Sequence, residues 1–246
     1  MKISIITVCF NSQDTIRATI NSVLSQSYRE VEYIIIDGGS TDNTIKIIKE
    51  FSNRIDVLVS ESDSGIYHAI NKGINKSSGD VIGLLHSDDI FENDLVLENL
   101  MPFFIEDIDM VYGDINYVDR VNINKIVRKW KSRSYTRNSF KWGWMPPHTG
   151  FFIMKHCYLK YGSYNLNLGS SADYELMLRM FEIHQLKSKY ISQNITKMRL
   201  GGVSNSSFKN RLEANRNDRK SWEVNGLKPF WFTIIIKPII KIKQFF

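Results

Sequence analysis

The sequence predicts an α/β fold with a mostly parallel sheet covered on both faces by helices. Three observations predict it. Across the first hundred residues, short β-branched apolar runs alternate with stretches whose apolar residues recur at helical spacing. The early runs are almost wholly apolar, as strands buried on both faces must be. Three of these runs give way to acidic residues, Asp37, Asp63 and Asp88-Asp89, and ligands of open α/β sheets bind at the carboxyl ends of strands.

The elements follow in order. Residues 4–10 read as a first strand, stopped by Asn11-Ser12. Ile16, Ile20, Val23 and Leu24 mark the face of the first helix. Residues 33–36 are a second strand ending at Asp37-Gly38-Gly39-Ser40. Ile45, Ile48 and Phe51 mark the next helix, with Ser40 or Thr41 as its cap and Asp42 in its first turn. Residues 55–59 make a third strand, and Ile66, Ala69, Ile70, Gly73 and Ile74 a third helix face. Residues 81–85 are the fourth strand and 94–104 a helix. The pattern then changes. Residues 110–112 and 115–118 read as two strands, and 126–130 alternates with charge as a partly exposed antiparallel strand does. Residues 133–144 are basic, aromatic and irregular, 151–154 a short strand and 173–181 a helix. Two halves of one domain, residues 1–112 and 113–205, and a C-terminal helical segment of 206–246 are expected, with no Pro/Gly/Ser-rich linker between the halves.

The chain has 246 residues and 43% hydrophobic content, enough for a substantial core, which argues against disorder. Cys9 lies in an apolar run and Cys157 stands alone, so neither a disulfide framework nor a zinc ligand set is expected, and a reducing, cytoplasmic compartment fits. Residues 1–8 lack a cleavage site and read as a strand, not a signal peptide. Net charge is +6, with Lys and Arg gathered at 125–141 and from 187 onward. Such a surface suits nucleic acid, an anionic membrane or a phosphorylated small molecule. Without a C2H2 pattern, an RNP-like aromatic motif or basic heptads, nucleic acid is the weakest of the three. Residues 229–246 are apolar and aromatic with interspersed lysines, but their unbroken run falls short of the roughly 20 residues that span a bilayer, and Pro238 interrupts it. This segment is either interfacial at a membrane or a helix packed on the body.

Ile82-Gly83-Leu84-Leu85-His86-Ser87-Asp88-Asp89 runs straight from an apolar strand into paired carboxylates. Adjacent carboxylates repel unless a cation shares them, and hard oxygen donors suit Mg2+ or Mn2+. The alternative is a solvated turn. Asp37 and Asp63, at the ends of the two preceding strands, add acidic loops to the same sheet edge and favour a site.

These residues carry a resemblance. Ile5-Ile6-Thr7-Val8-Cys9-Phe10-Asn11, Ile36-Asp37-Gly38-Gly39-Ser40-Thr41-Asp42-Asn43-Thr44, Glu61-Ser62-Asp63-Ser64-Gly65-Ile66-Tyr67-His68-Ala69-Ile70-Asn71-Lys72-Gly73 and Ser87-Asp88-Asp89 resemble family 2 glycosyltransferases, in particular bacterial enzymes of capsule, O-antigen and colanic-acid-type polysaccharide assembly. The resemblance covers residues 3–205 and is strongest over 3–90. It implies the GT-A fold: a Rossmann-like, mostly parallel central sheet flanked by helices, with an acceptor-side extension and a C-terminal apolar basic segment. Residues 1–112 would then bind a nucleoside diphosphate sugar, and 113–205 the acceptor. Thr7, Phe10 and Asn11 would form the lip of the base pocket, and Asp37 would accept the imide N–H of a uracil-like base, or else shape a turn. Asp63 would contact the nucleotide, with Gly65 allowing close backbone approach. Tyr67 and Lys72 would line the donor site, although Lys72 also suits a solvated surface. Asp89 would bind the Mn2+ or Mg2+ that bridges the donor phosphates, and Asp88 would touch the ribose or a metal-bound water. Many members carry Asp where His86 stands, so the role of His86 is open.

In the second unit, Gly169-Ser170-Ser171-Ala172-Asp173-Tyr174-Glu175-Leu176-Met177-Leu178-Arg179 resembles the family's base-bearing segment. That implies Asp173 as catalytic base, with Glu175 as the fallback; a plain N-terminal helix residue is the other reading of Asp173. Met145-Pro146-Pro147-His148-Thr149-Gly150-Phe151-Phe152 resembles the acceptor-side loop, with His148 in contact with sugar, phosphate or acceptor. Met198-Arg199-Leu200-Gly201-Gly202-Val203-Ser204 resembles a segment closing over the diphosphate, with Arg199 as a phosphate contact. No Gln-x-x-Arg-Trp motif or transmembrane helix is seen, which disfavours a processive synthase. The resulting expectation is a metal-dependent, inverting transferase that moves a sugar from a nucleoside diphosphate, UDP in the first instance, to a glycan or polyprenyl-diphosphate-linked acceptor. Peripheral contact with the cytoplasmic membrane and no nucleic acid partner are expected with it. A sugar nucleotidyltransferase is disfavoured by Phe10-Asn11-Ser12-Gln13 where a Gly-rich basic phosphate loop belongs. An inactive nucleotide-sugar-binding subunit is the other alternative, given His86.

Overall fold

A computed structural model describes residues 1–105, 107–201, 208–242 and 244. The chain forms one nine-stranded sheet. Its first half holds β1 (Ile3–Cys9), α1 (Ile16–Leu24), β2 (Val31–Asp37), α2 (Thr44–Lys49), β3 (Val57–Ser60), α3 (Ile66–Lys76), β4 (Val81–Leu84), β5 (Ile90–Phe91) and α4 (Val96–Leu100). The second half holds β6 (Met110–Val118), β7 (Ile126–Trp130), β8 (Phe151–Met154), α5 (Lys155–Tyr161), α6 (Ala172–Leu178), β9 (Ser188–Arg199), α7 (Phe208–Val224) and α8 (Thr233–Ile242).

The strand order is β3-β2-β1-β4-β8-β6-β9-β5, with β7 paired to β6. β3, β2, β1 and β4 are mutually parallel, as alternation with helices requires. β8 runs antiparallel to β4 and β6, and β9 parallel to β6. These directions bring the carboxyl ends of β1, β2, β4, β6 and β9, and the amino end of β8, to one edge. Alternation along the strands divides the core. Ile6, Val8, Ile34, Ile36, Ile82 and Leu84 face α3 and α6, while Ile3, Ile5, Ile35 and Val81 face α1, α2 and α4. Gly83 is where β8 crowds in: a Cβ there would lie 2.4 Å from the Phe152 ring.

Several elements differ from the sequence expectation. The two short strands expected around residue 113 are one, β6, which bends through a register shift between Tyr112 and Ile115 and carries the sheet across the 112/113 boundary. The cap of α2 is not Ser40 or Thr41: Asp42 Oδ1 accepts the Thr44 amide at 2.9 Å, and the Ser40 hydroxyl turns to Asp37. α8 packs on the body, with Gly143 so close beneath it that a Cβ would meet Ile236 Cγ2 at 2.9 Å. Lys237 on α8 faces inward, paired with Asp218 at 2.7 Å and lying 3.8 Å from the Tyr174 ring. Among the described residues, no helix is long and apolar enough to cross a membrane.

Candidate active site

The site stands on the shared edge, built from the loops that leave β1, β2 and β4. Side-chain hydrogen bonds zip these loops together. Asn11, held at φ 47°, donates its amide to Ser40 Oγ and accepts from the Thr41 amide. The Ser12 amide donates to Thr44 Oγ1, and the hydroxyls of Ser12 and Ser87 meet at 2.8 Å. Phe10 is left 62% exposed at the lip.

Asp37 and Thr7 sit deeper than the resemblance implies. Asp37 is fully buried, and its oxygens accept from the Gly39 and Ser40 amides, the hydroxyls of Ser40 and Ser60, and the Cys9 thiol. With its acceptor positions engaged and covered, it shapes the Gly38-Gly39 turn and offers no free oxygen to a base. Thr7 is likewise buried within β1, its hydroxyl 3.2 Å from Tyr33 Oη, and does not reach the lip.

Asp63, after β3, is held by Lys72 Nζ at 2.7 Å and His68 Nδ1 at 2.8 Å, while Lys72 also reaches Glu61. Asp63 Oδ2 is buried without a protein partner. Lys72 is therefore engaged with these carboxylates and is not a bare surface charge. Gly65 has φ 125° with open space beside it and starts α3.

The Asp88-Asp89 turn is fixed from two sides. The Thr19 hydroxyl on α1 contacts the carbonyls of Ser87 and Asp89 at 3.0 and 2.7 Å. Arg199, at the end of β9, donates its guanidinium to the Asp88 carbonyl (2.6 Å) and its amide to Asp89 Oδ1 (3.3 Å). Asp89 is fully buried and its Oδ2 has no protein partner. Burial and then the Asp88 charge push the Asp89 carboxyl well above its usual range; burial also raises Asp88, against the pull of Arg199 and Arg120. A buried carboxylate with an orphaned oxygen beside a second carboxylate suits a hard divalent cation.

Beside the Asp88-Asp89 turn, His86, His148, Tyr67, Tyr164 and Asp173 come together. His148 Nε2 lies 2.9 Å from Tyr164 Oη, and its ring is 5.7 Å from that of His86. Burial, reinforced by His148, brings His86 down to about 3, and burial lowers His148 despite the nearby Asp173, so both rings are neutral at physiological pH. His86 Nδ1 is buried and unpartnered. Tyr67 stacks on Tyr164 and donates to the Ser170 carbonyl at 3.4 Å, which ties α3 to the amino end of α6. Burial and the Asp173 charge push the Tyr67 phenol well above its usual range. Asp173 occupies the first turn of α6 and is partly exposed, whereas Glu175 is buried and bound to Arg179 at 2.8 Å. Gly202, Val203 and Ser204 of the late motif lie outside the described residues.

Sequence reasoning missed His68, Tyr164 and Thr19. Only Thr19 leaves a trace, as a hydroxyl on the otherwise apolar stripe of α1.

The chain matches the profile described as Glycosyl transferase family 2 over residues 4–163. It is 31% identical over 182 residues to a glycosyltransferase of Mycobacterium tuberculosis named as uncharacterized, covering 72% of this chain and 68% of that one. It is 26% identical over 222 residues to the PGL/p-HBAD biosynthesis glycosyltransferase of Mycobacterium bovis, covering 82% and 79%. Among solved structures it resembles S. aureus TarS in complex with UDP-GlcNAc, with TM-score 0.69 and 17% identity over 90% of this chain; it spans 65% of that one. It also resembles the mannosyltransferase PcManGT of Pyrobaculum calidifontis in complex with GDP-Man and Mn2+, with TM-score 0.65 and 14% identity, covering 96% and 68%. At these identities the likeness concerns the fold, which is GT-A. With the profile matched over more than half of its length, the chain belongs to glycosyl transferase family 2.

Proposed function

We propose that the chain is an inverting, metal-assisted glycosyltransferase that moves a sugar from a UDP-sugar to a lipid-linked glycan acceptor in bacterial surface polysaccharide assembly. One observation carries this reading: an orphaned buried carboxylate, Asp89, stands at the sheet edge, and a partly exposed one, Asp173, lies near the His86–His148 pair beside the same turn. A nucleoside diphosphate sugar as donor is supported by two structures of the same fold, TarS in complex with UDP-GlcNAc and PcManGT with GDP-Man and Mn2+.

In this reading Asp89 holds Mn2+ or Mg2+ with Asp88 beside it, and Thr19 and Arg199 keep the turn from moving. The ion, when bound, supplies Lewis-acid neutralisation of the departing diphosphate. Phe10 and Asn11 flank the base, while Asp63, steadied by Lys72 and His68, contacts the nucleotide. Gly65 and Tyr67 border the donor sugar. Asp173 takes the proton from the acceptor hydroxyl as its oxygen bonds the anomeric carbon and the bond to the diphosphate breaks, a single displacement with inversion. Neutral His148, oriented by Tyr164, positions the acceptor without adding charge beside Asp173.

A donor-hydrolysis screen with UDP- and GDP-sugars and Mn2+ tests the reading. Turnover is expected with a UDP-sugar and is lost on chelation and in Asp89→Ala. Full activity in Asp89→Ala would remove the metal from the mechanism, and tight donor binding without turnover against a broad acceptor panel would favour an inactive binding subunit.

A further inference from the structure

At the opposite edge of the sheet, Asp109, His156 and Cys157 converge. Asp109 precedes β6, while His156 and Cys157 open α5 directly after β8. Because β6 and β8 are antiparallel, with Met110 beside Ile153, the start of one strand lies at the end of the other. The sequence separation of 48 between Asp109 and Cys157 hides this meeting from any spacing motif, which is why Cys157 reads as solitary in the sequence.

Asp109 Oδ1 lies 3.3 Å from His156 Nε2 and 3.7 Å from Cys157 Sγ, and Sγ lies 3.5 Å from Nε2. Hydrogen bonding accounts for two sides of this triangle. The imidazole N–H and the thiol S–H can each donate to the carboxylate, and the third side is then left without a hydrogen. A tetrahedral cation accounts for the two shorter sides, and for the third after a contraction of about 0.1 Å. With metal–sulfur near 2.3 Å and metal–nitrogen or –oxygen near 2.0–2.1 Å, adjacent ligands of a tetrahedral ion stand about 3.3–3.6 Å apart. The carboxylate is held in this pose by the Lys187 amide, which donates to Asp109 Oδ2 at 3.1 Å, and its backbone by the Met154 amide at 2.8 Å. His156 is 57% exposed, so an ion can enter from solvent and a water can complete the coordination.

We propose that Asp109, His156 and Cys157 form a second metal site, separate from the catalytic edge, for a borderline-soft divalent cation of the Zn2+ class. The mixed sulfur, nitrogen and oxygen donors suit such an ion and not Mg2+. Binding forms metal–sulfur, metal–nitrogen and metal–oxygen bonds and releases the Cys157 thiol proton to solvent. The ion clips the start of β6 to the start of α5.

Co2+ titration of the metal-stripped full chain, followed by absorption, tests this. A near-ultraviolet thiolate-to-cobalt band is expected to saturate at one equivalent, to vanish in Cys157→Ser and to persist in Cys9→Ser. His156→Ala, at an exposed position, is expected to weaken Co2+ binding at least tenfold while the protein stays folded. In an Asp89→Ala background, Zn2+ is expected to raise Tm, and the added His156→Ala to abolish the rise. No thiolate band at saturating Co2+, or a band that survives Cys157→Ser, overturns the proposal.

Discussion

Asp89 shows how far one residue's chemistry can be read before its surroundings are seen. The sequence marks it, with Asp88, as the end of an apolar strand. Only the structure reveals the orphaned Oδ2 and the clamp made by Thr19 and Arg199. Asp37 fails the other way: its motif is plain, but its burial and five internal donors are not, because side chains from β1 and β3 supply part of them. The electrostatics give a signed prediction. A free aspartate ionises near 3.8, and in the fold burial and Asp88 hold Asp89 above that. Relative stability from this group is therefore present below 3.8 and lost as pH rises through the raised value. A bound cation reverses the loss. Mn2+ is expected to raise Tm more at neutral than at mildly acidic pH, and Asp89→Asn to remove the difference; a pH-independent shift, read by differential scanning fluorimetry, would disprove it. Asp173→Asn is expected to lower kcat by about 10²–10⁴ while leaving that Mn2+ shift unchanged, as loss of a general base requires. An unaltered kcat in steady-state assays would exclude Asp173 as the base.

Among elements, β1, β2 and β4 were legible because two-sided burial leaves an uninterrupted apolar run, whereas the two-residue β5 is too short to leave a pattern. β9 was not, since its twelve residues are only partly covered and their polar side chains blur the alternation. α7 falls in the C-terminal segment expected to be helical, but its inward face was not legible: the helix is strongly polar, yet inserts Trp222 into the core, where the indole donates to Tyr174 Oη at 3.0 Å. β2 carries a clamp that its apolar character conceals. Glu32 accepts from the Ser4 hydroxyl (2.5 Å), the Ser78 amide (2.7 Å) and hydroxyl (2.5 Å), and Lys2 (3.1 Å), linking β2 to β1 and to the approach to β4. Burial opposes ionisation, but these hydrogen bonds together outweigh it and bring the carboxyl from 4.5 to about 2. A depressed carboxylate stabilises the fold above its unfolded value and loses that contribution as pH falls through the folded one, here between 4.5 and about 2. Glu32→Gln is expected to cost about 1–3 kcal/mol at neutral pH and to flatten the acid limb of the stability curve. Urea titrations across that range check it, and parallel curves for the two proteins would rule the clamp out.

At the scale of the whole molecule, the C-terminal segment combines a packed helix with exposed aromatic rings. α8 packs on the body, and the approach to it keeps aromatics in solvent. Phe230 and Trp231 are 41% and 80% exposed, and Trp142, itself 54% exposed, meets Phe230 at 5.6 Å between ring centroids. Lys141 lies over the Phe230 ring, and its carbonyl accepts the Thr233 hydroxyl at 2.7 Å, so the rings are mounted on the packed helix. Exposed aromatic rings beside cationic side chains match the headgroup zone of an anionic bilayer, where rings enter the interface and lysines meet lipid phosphates. The same patch is mounted on α8, which packs on α7 and lays Lys237 over the Tyr174 ring of α6, the carrier of Asp173; in the proposed reading this sets the acceptor side toward the lipid surface. The variant Trp142→Ser/Phe230→Ser/Trp231→Ser is expected to reduce co-sedimentation with phosphatidylglycerol-containing vesicles at least tenfold. Donor hydrolysis in solution is expected to stay within about twofold of the parent, because exposed surface substitutions seldom disturb a fold. If the triple variant sediments with anionic vesicles as the parent does, the patch is not the membrane contact, and the acceptor must reach Asp173 without it.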